Sequence, residues 1–133
     1  MVLKFGGTSV STAPNWHRIA AIARERSQDG THVLIVHSAL SGITDRLERV
    51  LDGALQDTHA AVLDDIEGRH RALAAELGVA IGEGLQRHFD DLRQLAAGVA
   101  LVGEVSARTR ARVMSTGELM ATELGAAFLR AQG

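Results

Sequence analysis

The ten residues VLKFGGTSVS, positions 2–11, predict the start of an α/β fold. Their first four residues favour a β-strand, and the glycine pair that follows ends it. Ser11 or Thr12 can then cap a helix that has Pro14 in its first turn. A strand, a tight turn and a helix in this order predict the first half of a β-α-β unit.

Lys4 interrupts this apolar strand. Because a buried charge without a partner costs several kcal/mol, we expect its ammonium group to be paired. Gly6 and Gly7 let backbone amides approach a ligand closely, and a following helix N-terminus favours phosphate. The stretch matches neither a P-loop nor a dinucleotide fingerprint. These residues alone therefore leave two interpretations open, a general anion cradle or a tight turn whose lysine reaches solvent.

A second strand is predicted at residues 31–38, THVLIVHS, where the apolar run is continuous. Such a run is typical of a strand covered by helices on both faces. Strand, helix and strand imply a parallel pair with a right-handed crossover, and ligands of parallel sheets collect beyond the carboxyl ends of the strands. The glycine pair and residues 38–42 both lie at that edge.

The rest of the chain is predicted to be helical, with antiparallel helices that turn near Gly78 and pack as a bundle beside the sheet. We expect the last helix to begin at STGE, residues 115–118, and to run to about Arg130. Ser115 and Glu118 have the spacing of a capping box there. Two strands make an incomplete α/β layer, so the sequence predicts the N-terminal portion of a longer protein.

Composition restricts the classes of function. A chain of 133 residues with 46% hydrophobic content can bury one sizeable core. The net charge of −2 gives no electrostatic reason to expect nucleic acid or an anionic membrane as partner. Cysteine is absent, which excludes disulfides and fits a reducing compartment, and residues 33–36 are too short an apolar run to span a bilayer. We expect a cytoplasmic protein.

Other candidate sites carry weaker signals. Glu67 and His70 have the helical spacing of a metal-ligand pair, but no second copy accompanies them, so we interpret them as a solvated helix face and predict no metal site. The arginines that precede STGE are interpreted as a solvated helix end. Three further histidines lack the spacing of zinc or triad motifs, namely His32, His59 and His88.

Three segments together resemble the aspartate kinases, which are members of the amino-acid kinase family. They are KFGGTSV at residues 4–10, HSALSGITD at residues 37–45 and STGELMATELGAAFL at residues 115–129. They occur in the family's order over nearly the whole chain. The departures are modest, with His37, Leu40 and Ala121 at positions where the family commonly has other residues.

The resemblance implies a role for each segment. Lys4 would contact the transferred phosphoryl group as the catalytic residue. Ser38, Thr44 and Glu118 would bind the amino-acid substrate, although each segment alone would favour a helix cap for Thr44 and Glu118. The first segment would bind the ATP phosphates through Lys4, Phe5, Gly6, Gly7, Thr8 and Ser9.

The implied fold is an αβα sandwich of the amino-acid kinase, carbamate kinase-like type with a helical insertion. Residues 1–133 would form the N-terminal part of its catalytic domain, within the substrate lobe, without the ATP lobe and the ACT regulatory domains. The implied enzyme uses MgATP and L-aspartate in the first step of lysine, threonine and methionine biosynthesis. It needs no tightly bound cofactor and is expected to be a homo-oligomer, while the fragment alone should have little activity.

Two other functions remain open. One is a kinase of the same superfamily for another small acid, such as glutamate or acetylglutamate, since these kinases share the Gly-Gly phosphate loop in kind. The other is a non-catalytic binding module that keeps a vestigial phosphate loop and docks a partner on its sheet edge or its helices.

Overall fold

A computed structural model describes residues 1–133, which form two strands and five helices. In chain order these are β1 (Val2–Phe5), α1 (Ala13–Ser27), β2 (Leu34–His37), α2 (Ile43–Leu55), α3 (Ala60–Leu77), α4 (Glu83–Val102) and α5 (Ala107–Ala131). A short 3-10 turn, Thr8–Val10, joins β1 to α1. None of the helices combines the length and the apolar character that crossing a membrane requires.

The two strands are parallel, as predicted, and pair Val2 with Leu34 and Phe5 with His37. β2 is shorter than the predicted strand, because residues 31–33 precede the ladder. Only one face of the sheet is covered by helices. On the other face the side chains of Val2 and Leu34 are 64% and 60% exposed, so the expectation that β2 is covered on both faces fails within this chain.

α1 begins as predicted, with Thr12 rather than Ser11 as its N-cap and Pro14 in its first turn. Trp16 is fully buried and donates from Nε1 to the Val10 carbonyl at 2.8 Å, which ties the helix to the turn before it. The indole ring also determines how closely α5 approaches α1. A Cβ built on Gly125 would lie 2.2 Å from Cη2 of Trp16, so only glycine fits there.

α2, α3 and α4 form the bundle that the apolar periodicity predicts, and α3 ends at Gly78 in a left-handed conformation (φ 68°). The sheet and the bundle share one continuous core. Its largest fully buried apolar side chains are Trp16, Phe128, Ile43, Leu47, Leu51, Ile66, Leu92, Met120 and Leu124.

The predicted start of the last helix is wrong. α5 begins at Ala107, where Ser106 accepts a hydrogen bond from the Thr109 amide at 3.1 Å. Ser115 therefore lies inside the helix, and its hydroxyl donates to the Arg112 carbonyl at 2.9 Å instead of capping. The arginines predicted to precede the helix lie within it, and Arg110 pairs with Glu48 of α2.

Candidate functional site

The loop after β1 contains two backbone donors that have no acceptor in the chain. The amides of Ser9 and Val10 donate to the carbonyls of Gly6 and Gly7 at 3.1 and 3.3 Å, which closes a tight turn. The amides of Gly6 and Gly7 themselves donate to no acceptor in the chain. Unpaired N–H groups at the end of a strand, next to a helical turn, can bind an anion.

Lys4 stands beside these amides as the single lysine of the chain. Its side chain is exposed, and it lies in register with Val36 on the uncovered face of the sheet. No carboxylate, Glu118 included, lies within ion-pair distance. The expectation that Lys4 is buried in its strand is therefore wrong within this chain, where its charge is solvated.

The remaining residues of the predicted phosphate loop have mixed surroundings. Phe5 is half-buried and packs against the core, so its side chain supports the loop from below. Thr8 is exposed, and its carbonyl accepts a hydrogen bond from the Asn15 side chain at 3.2 Å. Ser9 is half-buried and makes no side-chain hydrogen bond. The loop thus offers backbone and hydroxyl groups, and the packing of Phe5 against the core supports it.

The loop after β2 lies at the same edge of the sheet. The Ser38 amide donates to the Phe5 carbonyl at 3.2 Å, which continues the ladder one residue past the strand. Gly42, at φ 79°, is the N-cap of α2, so the alternative that Thr44 caps this helix is wrong. Thr44 lies in the first turn, exposed and without an intramolecular hydrogen bond to its hydroxyl group.

Ala39 is the point at which all three motif segments meet. A Cβ built on Gly7 would lie 2.7 Å from the Ala39 carbonyl oxygen. On its other side, a Cβ built on Gly117 would lie 3.1 Å from the Cβ of Ala39. Glycine at both positions therefore lets the loop after β1 and α5 approach the loop after β2 closely.

Glu118 follows Gly117 in the interior of α5, so the capping-box interpretation of this glutamate is wrong. Its carboxylate is exposed and forms neither an ion pair nor a hydrogen bond within the chain. The structure thus brings the segments of Lys4, Ser38, Thr44 and Glu118 to one edge. The side chains of Lys4, Thr44 and Glu118 are exposed, and none of them forms an ion pair or a hydrogen bond within the chain.

Sequence reasoning assigned no site role to Ser11, and the structure gives it a position between the loops. Its hydroxyl donates to the Gly7 carbonyl at 2.5 Å and accepts from the Ser41 amide at 2.8 Å. The only sequence signal was a hydroxyl near a helix start, which Thr12 shares. Contacts between residues 30 positions apart leave no such local pattern.

Glu67 and His70 of α3 do not form the solvated helix face that the sequence predicts. Hydrogen bonds from Arg93 and Arg71 lower the pKa of the Glu67 carboxyl group. His70 is fully buried, and burial lowers the pKa of its imidazole. Glu67 and His70 thus have separate roles in the bundle. No group of three or more His, Cys, Asp or Glu side chains in the chain has the arrangement of a metal site.

Comparison with known proteins points to one family. The chain matches the model of the amino acid kinase family over residues 1–133. It is 33% identical over 128 residues to the aspartokinase of Chlamydia trachomatis serovar D, covering 93% of this chain and 26% of that protein. It is 31% identical over 137 residues to the chloroplastic aspartokinase 2 of Arabidopsis thaliana, covering 99% and 25%.

Solved structures agree with these matches. Aspartokinase III of E. coli, in complex with aspartate and ADP, superposes with a TM-score of 0.82 at 32% identity, over 98% of this chain and 29% of that one. The same enzyme in complex with lysine and aspartate gives a TM-score of 0.80 at 30% identity, again over 98% and 29%. The chain spans about a quarter of the length of the curated relatives it matches.

Proposed function

The chain belongs to the amino acid kinase family, and we propose that its protein is an aspartate kinase, which phosphorylates the side-chain carboxylate of L-aspartate with MgATP. Residues 1–133 would supply part of the substrate lobe, and the adenine contacts would come from elsewhere in the protein. The product, 4-phospho-L-aspartate, would enter lysine, threonine and methionine biosynthesis.

The observation that carries the proposal is the group of donors at the end of β1. Lys4 has no carboxylate partner, and the amides of Gly6 and Gly7 have no acceptor. A full positive charge and two N–H groups at one strand end suit the γ-phosphoryl group of ATP. Lys4 would thus find its partner in the substrate rather than in the protein.

The reaction needs no protein nucleophile, since an aspartate carboxylate is already ionised and nucleophilic near neutral pH. One carboxylate oxygen would attack the γ-phosphorus while the bond from that phosphorus to the β,γ-bridging oxygen breaks, and the electron pair would leave with ADP. No proton needs to be moved. Catalysis would therefore consist of aligning two anions and neutralising the charge that develops between them. Mg²⁺ would arrive as part of the nucleotide substrate.

Recognition of aspartate would fall to the other two segments. The Glu118 carboxylate would bind the α-ammonium group, because an exposed acid without a partner can form a charge-assisted hydrogen bond. Thr44 would donate its free hydroxyl to a substrate carboxylate, with Ser38 beside it. The approach of Gly117 to Ala39 supports this arrangement, since it brings the two segments into contact.

The test is ADP release by the product of the complete reading frame, with MgATP and L-aspartate, L-glutamate or N-acetylglutamate as acceptor. We expect ADP with aspartate only, and trapping with hydroxylamine should then yield aspartyl hydroxamate. ADP with one of the other acids would identify a different acceptor. If a folded protein released ADP with none of them, the kinase proposal would be wrong and the binding module would replace it.

A further inference from the structure

We propose that Ser11 is a positioning residue that holds the phosphate loop and the substrate loop in the relative position that phosphoryl transfer requires. This proposal rests on the proposed function. The phosphate loop here means residues 6–9, and the substrate loop means residues 38–44. Ser11 belongs to neither set of predicted ligand-binding residues, and its role would be to act through the loops rather than on the ligands.

The geometry of the bridge uses both sides of the hydroxyl. Ser11 Oγ carries one proton, which it donates to the Gly7 carbonyl at 2.5 Å. An Oγ lone pair accepts the Ser41 amide proton at 2.8 Å. One atom thus joins the backbone of the two loops, because Gly7 belongs to the proposed phosphate-binding residues and Ser41 lies between the proposed substrate residues Ser38 and Thr44.

No other side-chain hydrogen bond connects the two loops. The remaining links are the ladder bond from the Ser38 amide to the Phe5 carbonyl and the packing of Gly7, whose added Cβ would lie 2.7 Å from the Ala39 carbonyl oxygen and 3.6 Å from the Ser41 amide nitrogen. The bond to Ser11 is the hydrogen bond that holds the Ser41 amide, next to the left-handed Gly42 that starts α2. The bridge would therefore fix the position of this part of the substrate loop, which is otherwise held by van der Waals contact.

Relative placement of the loops matters more for the chemical step than for binding either ligand. Each loop can hold its own substrate while the gap between the carboxylate and the phosphorus varies. Because a small misplacement of reacting atoms can lower a rate by up to about 100-fold, loss of the bridge should affect kcat more than either KM. A merely structural serine would instead change stability and leave kcat unaltered in the folded fraction.

The experiment compares Ser11→Ala, Ser11→Thr and Ser27→Ala in the product of the complete reading frame. Ser27 is the matched control, since its hydroxyl donates to the Ala23 carbonyl at 2.8 Å far from both loops. We expect Ser11→Ala to lower kcat about tenfold, with each KM changed less than about twofold. Ser11→Thr, which keeps the hydroxyl, should recover most of kcat, and Ser27→Ala should match the wild type.

Amide hydrogen exchange at Ser41 gives a readout independent of activity. The bridge predicts a protected Ser41 amide in the wild type and in Ser11→Thr, and faster exchange in Ser11→Ala. If Ser11→Ala does not fold, Ser11→Cys provides a second variant with a weaker donor of similar volume, for which we expect an intermediate kcat.

The outcomes separate the two proposals. An active wild type with an unchanged kcat in Ser11→Ala, or with equal losses in Ser11→Ala and Ser11→Thr, would overturn the positioning role alone. A wild type that transfers phosphate to no acceptor, although its Ser41 amide is protected, would overturn the proposed function and with it the positioning role.

Discussion

Gly117 of α5 lies against Ala39, so closely that an added Cβ would be 3.1 Å from the Ala39 Cβ and 3.1 Å from Leu47 Cδ1. Ala39 in turn lies against Gly7, whose added Cβ would be 2.7 Å from the Ala39 carbonyl oxygen. Glycine at these two positions thus allows the loop after β2 to lie in direct contact with both the phosphate loop and α5.

Replacing Gly117 with valine should therefore push α5 away from the loop after β2. Overpacking of this kind costs about 1–3 kcal/mol of unfolding free energy, and displacement of Glu118 should raise the KM for aspartate. Urea unfolding and steady-state kinetics would measure both effects. Gly98→Ala is the control, because nothing lies within 4 Å of its added Cβ, and it should be neutral or stabilising. A Gly117→Val protein with wild-type stability and KM would contradict this packing.

Because His70 is buried, we expect the free energy of unfolding to fall on mild acidification. Nδ1 lies 2.7 Å from the Ile66 carbonyl, which can only accept, so Nδ1 carries the proton; the buried Nε2 has no partner. Burial lowers the folded-state pKa of this imidazole below its ordinary 6.5. The unfolded state therefore binds a proton first, and unfolding free energy should fall as the pH drops below about 6.5, by at most about 1.4 kcal/mol per pH unit.

The measurement is the free energy of urea unfolding as a function of pH, from pH 7.5 down to the lowest pH at which the protein remains folded, for the wild type and for His70→Gln. The difference between the two slopes isolates His70, since all other titrating groups are shared. We expect the wild type to lose more stability below about pH 6.5 than the variant does. Parallel curves would show that His70 does not titrate with unfolding.

Substitutions at Thr44 and Glu118 should weaken aspartate binding without unfolding the protein. Both side chains are exposed and without hydrogen-bond partners in the chain, so Thr44→Ala and Glu118→Gln should leave the unfolding free energy within about 0.5 kcal/mol of the wild type. Each should raise the KM for aspartate about tenfold while the KM for MgATP changes little. Glu104→Gln, which removes an exposed carboxylate between α4 and α5, should change neither value. An unaltered aspartate KM in both variants would argue against their substrate roles.

The sequence predicts the meeting of the loops after β1 and β2 better than it predicts the start of the last helix. Parallel strands place their carboxyl ends at one edge, which is why the segments around Lys4 and Thr44 could be expected to meet. The start of α5 was missed because Ser115 and Glu118 satisfy a local capping pattern, whereas a serine inside a helix can bond to a preceding carbonyl instead. The better cap was Ser106, nine residues earlier in the chain.

Other features depend on packing that no local pattern encodes. The burial of His70 depends on which face of α3 meets α4, where its ring lies 5.9 Å from Phe89. The exposure of Lys4 depends on the sheet face that remains uncovered, although the apolar run of β2 suggests cover on both sides. The Ser11 bridge requires the fold itself, because it joins residues 30 positions apart.

The central claim is that Lys4 stabilises the transferred phosphoryl group, and the most direct test is kcat for aspartate-dependent ADP release by Lys4→Met. Arg18→Met is the control, since Arg18 is an exposed cation on α1 without an ion pair. Because Lys4 is exposed, its replacement should leave unfolding unchanged. We predict a fall in kcat of about 100-fold or more for Lys4→Met and a wild-type rate for Arg18→Met. A folded Lys4→Met protein with a near-normal kcat would contradict the account.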